Sequence, residues 1–273
     1  MPQFPIPAGK KVGNLVRLSP DESKHLSSVL RGQKGDRLTL FDGTHRFSGE
    51  IVSADPKKVV VRLVNQLDTP HLKGDVTLCQ AMLKKDRMEW VVQKAVELGA
   101  ARLIPFSSER TIPKEIGESK IGRWQKIADE AMKQCGRVTP MTIATLCNFN
   151  ELIQTTEKDI LEILFHDSRF STLLGRVTAG LPLETVGDAA QGAAGRPASP
   201  ELQRGEQDPP ARNQNRLSKL YCFIGPEGGF SPNEVEAAKQ AGCEIASLGS
   251  LTLRAETAAV AALTLIQHEL GNI

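Results

Sequence analysis

The stretch that decides the fold is residues 217–270, LSKLYCFIGPEGGFSPNEVEAAKQAGCEIASLGSLTLRAETAAVAALTLIQHEL. It begins with an apolar run at residues 220–224, which predicts a buried strand. A glycine-rich loop with the sequence GPEGGF follows at residues 225–230 and leads into a predicted helix. A second short strand at residues 244–248 and a second loop at residues 249–254 precede a last helix. Strands and helices that alternate in this order predict an α/β fold with a parallel sheet.

Local signals indicate where both helices begin and end. Ser231 and Glu234 have the spacing of a capping box, and Pro232 takes the first helical position, where its missing N–H is not needed. Gly242 is expected to end this helix. The last helix is expected to end at Gly271, and its apolar residues form one stripe. The stripe consists of Ala259, Leu263, Ile266 and Leu270.

Both loops leave the carboxyl ends of predicted parallel strands, which is where open α/β sheets bind their ligands. Glycines in these loops allow positive φ angles and let a ligand approach the backbone closely. The first loop has neither the G-x-G-x-x-G pattern nor the G-K-[ST] end of a P-loop, so binding of nucleotide phosphates is disfavoured. On glycine content alone, a tight turn without a ligand is the favoured interpretation.

Several motifs resemble the SPOUT methyltransferases, and more narrowly the RsmE-type enzymes that methylate N3 of a uridine in 16S ribosomal RNA. The resemblance is carried by KDRMEW (85–90), SER (108–110), QCGR (134–137), IGPEGGFS (224–231), LG (248–249) and LRAETAA (253–259). Leu251 is a departure, because relatives often carry a second arginine there. This departure puts in doubt any role for paired arginines in the second loop.

The resemblance implies a SPOUT-type parallel sheet with a deep trefoil knot at the carboxyl-terminal end of the chain. It also implies an obligate homodimer and S-adenosylmethionine as the cofactor, bound by the knot loops. His166 follows an apolar run at residues 159–165, and a polar loop residue that ends a strand is its alternative interpretation. The implied cofactor-binding residues are His166, Ile224, Gly225, Pro226, Glu227, Gly228, Gly229, Leu248, Gly249, Leu251 and Leu253.

Residues 1–72 form a predicted module of short strands and tight turns, which is typical of a small β-barrel. Asp42-Gly43 is a hairpin signal, and Ser19 with Glu22 repeats the capping-box spacing before a helix that carries His25, Leu26, Val29 and Leu30. In the resembled family this module is a PUA-like RNA-binding domain. Residues 73–273 are then the SPOUT methyltransferase domain.

Charge is distributed unevenly along the chain. Residues 1–64 hold 11 Lys and Arg against 6 Asp and Glu, whereas the remainder holds 23 against 26. A basic module beside a slightly acidic body predicts a nucleic-acid platform next to a catalytic body, and ordinary surface charge is the alternative. The candidate RNA contacts are Arg17, Lys24, His25, Arg31, Arg46, Lys84, Arg87, Arg110 and Arg137.

The composition of residues 184–216 differs from that of the rest of the chain. These residues are rich in Gly, Ala, Pro, Gln and charge, which predicts a disordered insertion within the second domain.

The amino terminus lacks a signal-peptide pattern, and the apolar run at residues 258–266 is too short to span a bilayer. A cytoplasmic protein without a membrane partner is therefore expected. The five cysteines lack C-x-x-C spacing, so no metal is expected.

Arg254 and Glu256 are the predicted catalytic residues. Uridine N3 must lose its proton before it can attack a methyl group, and the resulting negative charge spreads onto O2 and O4. A guanidinium aimed at one of these oxygens, from Arg254, would stabilise that charge. Glu256 is expected to orient Arg254 or to accept the proton. Its alternative role is a carboxylate that is favourable in the first turn of a helix.

Two functions of different classes remain open on the sequence alone. The first is S-adenosylmethionine-dependent methylation of N3 of a uridine in 16S ribosomal RNA, with the RNA or the small ribosomal subunit as partner. The second is a non-catalytic RNA-binding protein of the same fold. The two glycine loops and Arg254 favour the enzyme, since a pure binder needs no cofactor pocket. Among enzymes, the alternative is a ribose 2′-O-methyltransferase of the same superfamily.

Overall fold

The computed structural model describes residues 3–69, 71–112, 116–154, 160–165 and 219–273. The predicted insertion at residues 184–216 and His166 lie outside these ranges. Within them, two β-sheets follow one another along the chain, the first ending at Leu67 and the second beginning at Asp75. No helix in these ranges is both long enough and apolar enough to cross a bilayer.

The first sheet has six strands in the order β1-β4-β5-β6-β3-β2. They are β1 (Gln3–Pro5), β2 (Lys11–Val12), β3 (Leu15–Arg17), β4 (Arg37–Phe41), β5 (Arg46–Asp55) and β6 (Lys58–Leu67). β1 pairs with β4 in parallel, and the other pairs are antiparallel. The predicted hairpin joins β4 and β5, where Asp42 Oδ1 accepts the backbone N–H groups of Thr44 and His45 at 3.0 and 2.8 Å.

The helix of the first module differs from its prediction. α1 (Pro20–Lys24) is short and continues as a π-helical turn (His25–Val29). Ser19 Oγ accepts the N–H of Glu22 at 3.2 Å, which is half of the predicted capping box. The other half is wrong, because the Glu22 carboxylate forms an ion pair with Lys133 of the second domain. The sequence could not show this distant and largely buried partner.

The second sheet is parallel throughout its described pairs, as predicted. Its strands are β7 (Asp75–Ala81), β8 (Arg102–Ser107), β9 (Thr142–Ile143), β10 (Cys147–Asn148), β11 (Ile160–Phe165), β12 (Lys219–Ile224) and β13 (Glu244–Ala246). Their order is β10-β8-β7-β12-β11-β13, with β9 beside β8. β13 stops two residues before the end of the predicted strand.

Helices cover both faces of the second sheet. They are α2 (Arg87–Glu97), α3 (Glu118–Cys135), α4 (Phe149–Gln154), α5 (Pro232–Gln240) and α6 (Ala255–Glu269). Alternate residues of β7 point to opposite faces. Val76 and Leu78 pack with α2, α3 and α6, whereas Cys79 and Ala81 pack with α4 and α5. The knot remains a prediction, because the path of the chain between β11 and β12 lies outside the described residues.

The two sheets are joined by a packed junction. The side-chain amide of Gln3 on β1 donates to the carbonyl oxygens of Met132 and Arg137 at 3.3 and 2.7 Å. Phe41 at the end of β4 is 3% exposed and belongs to the core of the second domain. Strand β1 was not predicted, since its three residues carry no local strand signal and are held by pairing with β4.

Candidate active site

A cavity of about 570 Å³ lies at the carboxyl ends of β11, β12 and β13 and beside the first turn of α6. Two segments form most of its wall: the glycine loop (residues 225–230) and residues 247–254, which include the second loop (residues 249–254). It is lined by Arg87, Arg110, Phe165, Ile224, Gly225, Pro226, Glu227, Gly228, Gly229, Phe230, Ser247, Leu248, Gly249, Leu251, Thr252, Leu253, Arg254, Ala255 and Ala258. Every predicted cofactor-binding residue in the described ranges lines this one cavity.

The glycine loop is shaped by the buried ring of Phe230. A Cβ at Gly225 would lie 3.1 Å from carbons of that ring and 3.3 Å from the Phe230 nitrogen, so any larger residue there would crowd the ring. Phe230 is 2% exposed and stacks on Phe106 of β8, with the ring centroids 6.1 Å apart. The carbonyl oxygen of Pro226 accepts the N–H of Gly229 at 2.9 Å, which closes the turn. The loop is therefore anchored to the core of the sheet.

The predicted capping box at the start of α5 is complete. Ser231 Oγ accepts the N–H of Glu234 at 3.1 Å, and Glu234 Oε2 accepts the N–H of Ser231 at 2.8 Å. Glu234 is only 3% exposed, and its other oxygen accepts the N–H of Glu109 at 2.8 Å. Glu234 thus ties the loop after β8 to the end of the glycine loop. The sequence predicted the cap but not this link, which depends on the order of strands in the sheet.

The second loop turns at Gly249, whose φ of +124° lies in the region that favours glycine. Ser247 Oγ accepts the N–H of Gly249 at 3.3 Å and donates to its carbonyl oxygen at 3.1 Å. Leu251, the residue at which the chain departs from the resembled family, is 78% exposed at the rim of the cavity.

Three arginines line the cavity, and their partners differ. Arg110 donates to the carbonyl oxygen of Gly228 at 2.7 Å, and Arg87 donates to Glu227 Oε1 at 3.1 Å. Arg254 is exposed and caps α6 with its backbone. Among the described residues, its guanidinium has no hydrogen-bond or ion-pair partner. Arg254 is therefore the lining arginine whose donors are available to a bound molecule.

Glu256 lies in the first turn of α6, with its side chain 15% exposed. Its Oε1 is 3.7 Å from Nε of Arg87, and its buried Oε2 has no hydrogen-bond partner among the described residues. The structure thus pairs Glu256 with Arg87 rather than with Arg254. Orientation of Arg254 by Glu256, one of the two roles expected of this carboxylate, has no support in these contacts.

The remaining candidate RNA contacts are spread over both domains. Exposed side chains are found at Arg17, Lys24, Arg31 and Lys84, and partly buried ones at His25 and Arg46. The first three lie in the basic first module. Arg31 has a φ of +56°, a conformation that non-glycine residues seldom adopt. Within the part of the chain that the structure describes, Arg17, Lys24 and Arg31 are therefore available to meet an anionic partner.

Arg137 differs from these candidates. Its guanidinium donates to the carbonyl oxygen of Ala100 at 2.6 Å, and its own carbonyl oxygen accepts from Gln3. Burial lowers the pKa of this guanidinium. These contacts favour a structural role at the junction of the two domains over contact with a phosphate.

Comparison with known families shows which class of protein has this fold and this cavity. A family model described as an RNA methyltransferase domain matches residues 70–182 and 199–267, which is about two thirds of the chain. The chain belongs to this family. A second model, described as an RNA methyltransferase PUA domain, matches residues 18–64. The predictions of an RNA methyltransferase and of a PUA-like first module are confirmed.

Individual relatives of this RNA methyltransferase carry a more specific name. Ribosomal RNA small subunit methyltransferase E from Aquifex aeolicus is 27% identical over 259 residues, which cover 94% of this chain and 95% of the relative. The protein of that name from Bacillus subtilis is 27% identical over 261 residues, covering 92% and 89%. These relatives confirm the predicted resemblance to the RsmE-type enzymes.

Solved structures give the same result for the fold. Ribosomal RNA small subunit methyltransferase E from Neisseria gonorrhoeae, bound to S-adenosyl methionine, has a TM-score of 0.77 and 25% identity over 98% of this chain and 97% of that one. A putative methyltransferase from Legionella pneumophila with bound S-adenosylmethionine has a TM-score of 0.73 and 29% identity, covering 97% and 96%. The predicted fold class is confirmed apart from the knot, which stays a prediction.

Proposed function

We propose that the protein transfers a methyl group from S-adenosylmethionine to N3 of a uridine in 16S ribosomal RNA. The observation that carries this proposal is the cavity that joins the two glycine-containing loops to the guanidinium of Arg254, which pairs with none of the described side chains. The names of the relatives and the cofactor bound in two of the solved structures support it. The substrate is the 16S RNA itself or the small ribosomal subunit.

The cavity fits the proposed cofactor in size and in the character of its walls. Small-molecule sites commonly enclose roughly 300–1,000 Å³ and are mostly apolar with a few polar groups. One wall here is apolar, with Phe165, Leu248 and Leu253, and the other is the backbone of the glycine loop. Such walls suit an adenosine group read by backbone atoms. When bound, S-adenosylmethionine supplies an electrophilic methyl group on its sulfonium.

In this proposal Arg254 is a catalytic residue. Loss of the N3 proton leaves a uracil anion whose charge is shared with O2 and O4, and a guanidinium donor at one of these oxygens stabilises it. Arg254 suits this role because it lines the cavity and its donors are not committed to other described residues. Arg87 and Arg110 already donate to protein acceptors, so they are less suited to it.

Replacing Gly228 with valine is expected to weaken S-adenosylmethionine binding by at least about tenfold, because added methyl groups take up space that the ligand needs. The fold should survive, since a Cβ at Gly228 would meet Arg110 side-chain carbons at an ordinary 3.4–3.5 Å. Titration calorimetry on RNA-free protein measures the effect, with Gly228→Ala as the smaller matched change. An unchanged affinity in a folded Gly228→Val protein would mean that the loop does not touch the cofactor.

We further propose that residues 1–72 form the RNA platform and residues 73–273 the catalytic domain. Replacing both Arg17 and Lys24 with alanine is expected to weaken RNA binding and to flatten its salt dependence. The slope of log K against log salt concentration should fall by about 0.7–0.9 for each phosphate that is no longer neutralised by a side chain. Filter binding at several salt concentrations measures this. The control pair, Lys126→Ala with Lys239→Ala on exposed helix faces of the second domain, should leave the slope unchanged.

The reaction is tested by nucleoside mass analysis of 16S RNA treated with purified protein and S-adenosylmethionine. N3-methyluridine is the expected product. A ribose-methylated nucleoside would instead identify the 2′-O-methyltransferase alternative, and an unmodified RNA with tight binding would identify the non-catalytic binder.

Assembly as a homodimer and a cytoplasmic location are part of the same proposal, and light scattering on the purified protein tests the dimer.

A further inference from the structure

Arg87 stands between two carboxylates, one from the glycine loop that lines the cavity and one from the start of α6 beside it. Its NH1 is 3.1 Å from Oε1 of Glu227, and its Nε is 3.7 Å from Oε1 of Glu256. Glu227 belongs to the glycine loop, whereas Glu256 follows the second loop directly, in the first turn of α6. Arg87 itself is the first residue of α2. One side chain from a third element therefore contacts both sides of the site.

Glu227 is held twice by the segment that leads into α2. In addition to the guanidinium, its Oε1 accepts the backbone N–H of Lys84 at 3.2 Å. The side chains of Glu227 and Glu256 are 27% and 15% exposed. Partial burial reduces the screening of their interactions by solvent. Without the guanidinium, two carboxylates would share this partly buried position and repel each other.

These contacts argue against the RNA-phosphate role that the sequence suggested for Arg87. Two of its nitrogens face carboxylates, so its positive charge is already balanced within the protein. A phosphate approaching Arg87 would also meet the negative charges of Glu227 and Glu256. Lys85, two residues earlier, is exposed and has no partner among the described residues, so it offers a comparison cation in the same segment.

We propose that Arg87 is a positioning residue, which fixes the distance between the glycine loop and the start of α6 and so preorganises the cofactor pocket. The inference rests on the proposed function for the identity of the cofactor. A planar guanidinium can meet two acceptors in fixed directions, whereas a lysine ammonium is a point charge on a flexible stem. Lysine at this position is therefore expected not to restore the pocket.

The first test is titration calorimetry of S-adenosylmethionine with RNA-free protein. Arg87→Ala and Arg87→Lys should both raise the Kd by about tenfold, as expected for loss of hydrogen bonds to a charged group. Lys85→Asn removes a charge from the same segment and keeps a residue that tolerates its φ of +55°. This control should change the Kd less than about twofold.

The second test needs no cofactor. Amide hydrogen exchange of residues 225–230 in the ligand-free protein should be faster in both Arg87 variants than in the wild type and the Lys85→Asn control. A second outcome is that the wild type binds no S-adenosylmethionine while amide exchange of residues 225–230 is still faster in the Arg87 variants. That result would support the positioning role of Arg87 and overturn the proposed function. An unchanged Kd and unchanged exchange in the folded Arg87 variants would overturn the positioning role.

RNA binding separates the two roles of Arg87. If Arg87 has a positioning role, its variants should bind RNA in the absence of S-adenosylmethionine with the affinity and the salt dependence of the wild type. A salt slope that falls by about 0.7–0.9 in Arg87→Ala, with an unchanged Kd for S-adenosylmethionine, would show a phosphate contact and overturn the inference. If Arg87→Ala does not fold, Arg87→Lys carries the same comparisons.

Discussion

Replacing Arg254 with lysine is expected to slow methyl transfer by about a hundredfold, the usual effect of removing one donor that stabilises a developing anion. The affinity for S-adenosylmethionine should change little. Lysine keeps the positive charge but lacks the planar fork that can meet a uracil oxygen and a neighbouring acceptor together. An interaction that is strongest in the transition state affects the chemical step rather than substrate binding.

Single-turnover methylation at saturating RNA and cofactor measures this chemical step. If Arg254 only holds the second loop, its variant should lose cofactor affinity instead. A phosphate contact would raise the Michaelis constant for RNA and leave the single-turnover rate nearly normal. A normal rate under saturating conditions would remove the catalytic assignment. Arg123→Lys is the matched control, because Arg123 is an exposed residue of α3 that pairs with Glu89 away from the cavity.

Replacing Glu234 with alanine is expected to lower the free energy of unfolding by about 3 kcal/mol. The buried carboxylate accepts two backbone N–H groups, from Ser231 and Glu109, and its removal leaves both donors unsatisfied. A buried donor without an acceptor costs roughly 1–3 kcal/mol, and the partly buried N–H of Glu109 adds less than the buried N–H of Ser231. The effect should reach the cavity as well, because Glu234 joins the loop after β8 to the end of the glycine loop.

Urea denaturation followed by circular dichroism measures this loss, with Glu236→Ala as the control. Glu236 lies on the same helix but is exposed, and its removal should shift the midpoint very little. Glu234→Gln should lie between the wild type and alanine, because a side-chain amide has one acceptor oxygen where two are needed. Equal midpoints for Glu234→Ala and Glu236→Ala would contradict the assigned role of the buried carboxylate.

Much of the fold could be predicted because its signals are local. The capping box at Ser231, the glycine loop and the alternation of strands and helices depend on neighbouring residues. The partners of Arg87 and Arg110 could not be predicted, since they lie 140 and 118 residues away along the chain. The residue type indicates a cation, but only the order of the strands, which brings the start of α2 and the loop after β8 beside the glycine loop after β12, shows which acceptor each cation meets.

The same reason explains the errors in the first module. Glu22 has the spacing of a capping residue, yet Lys133, 111 residues away, provides a better partner for a largely buried carboxylate. Strand β1 forms because it pairs with the edge of β4. Its three residues are too few to predict that pairing from local sequence. Long-range pairing overrides local preference at both positions.

The packed junction between the two sheets has a geometrical consequence for target choice. Gln3, Glu22 and Phe41 of the first sheet's module are all fixed to the second domain, so this module has little freedom to swing. The distance between an RNA segment bound to this module and the cavity would then be fixed by the protein. Selection would then depend on how far the target uridine lies from the docked segment in the folded RNA. An unfolded RNA with the same local sequence would not keep that span.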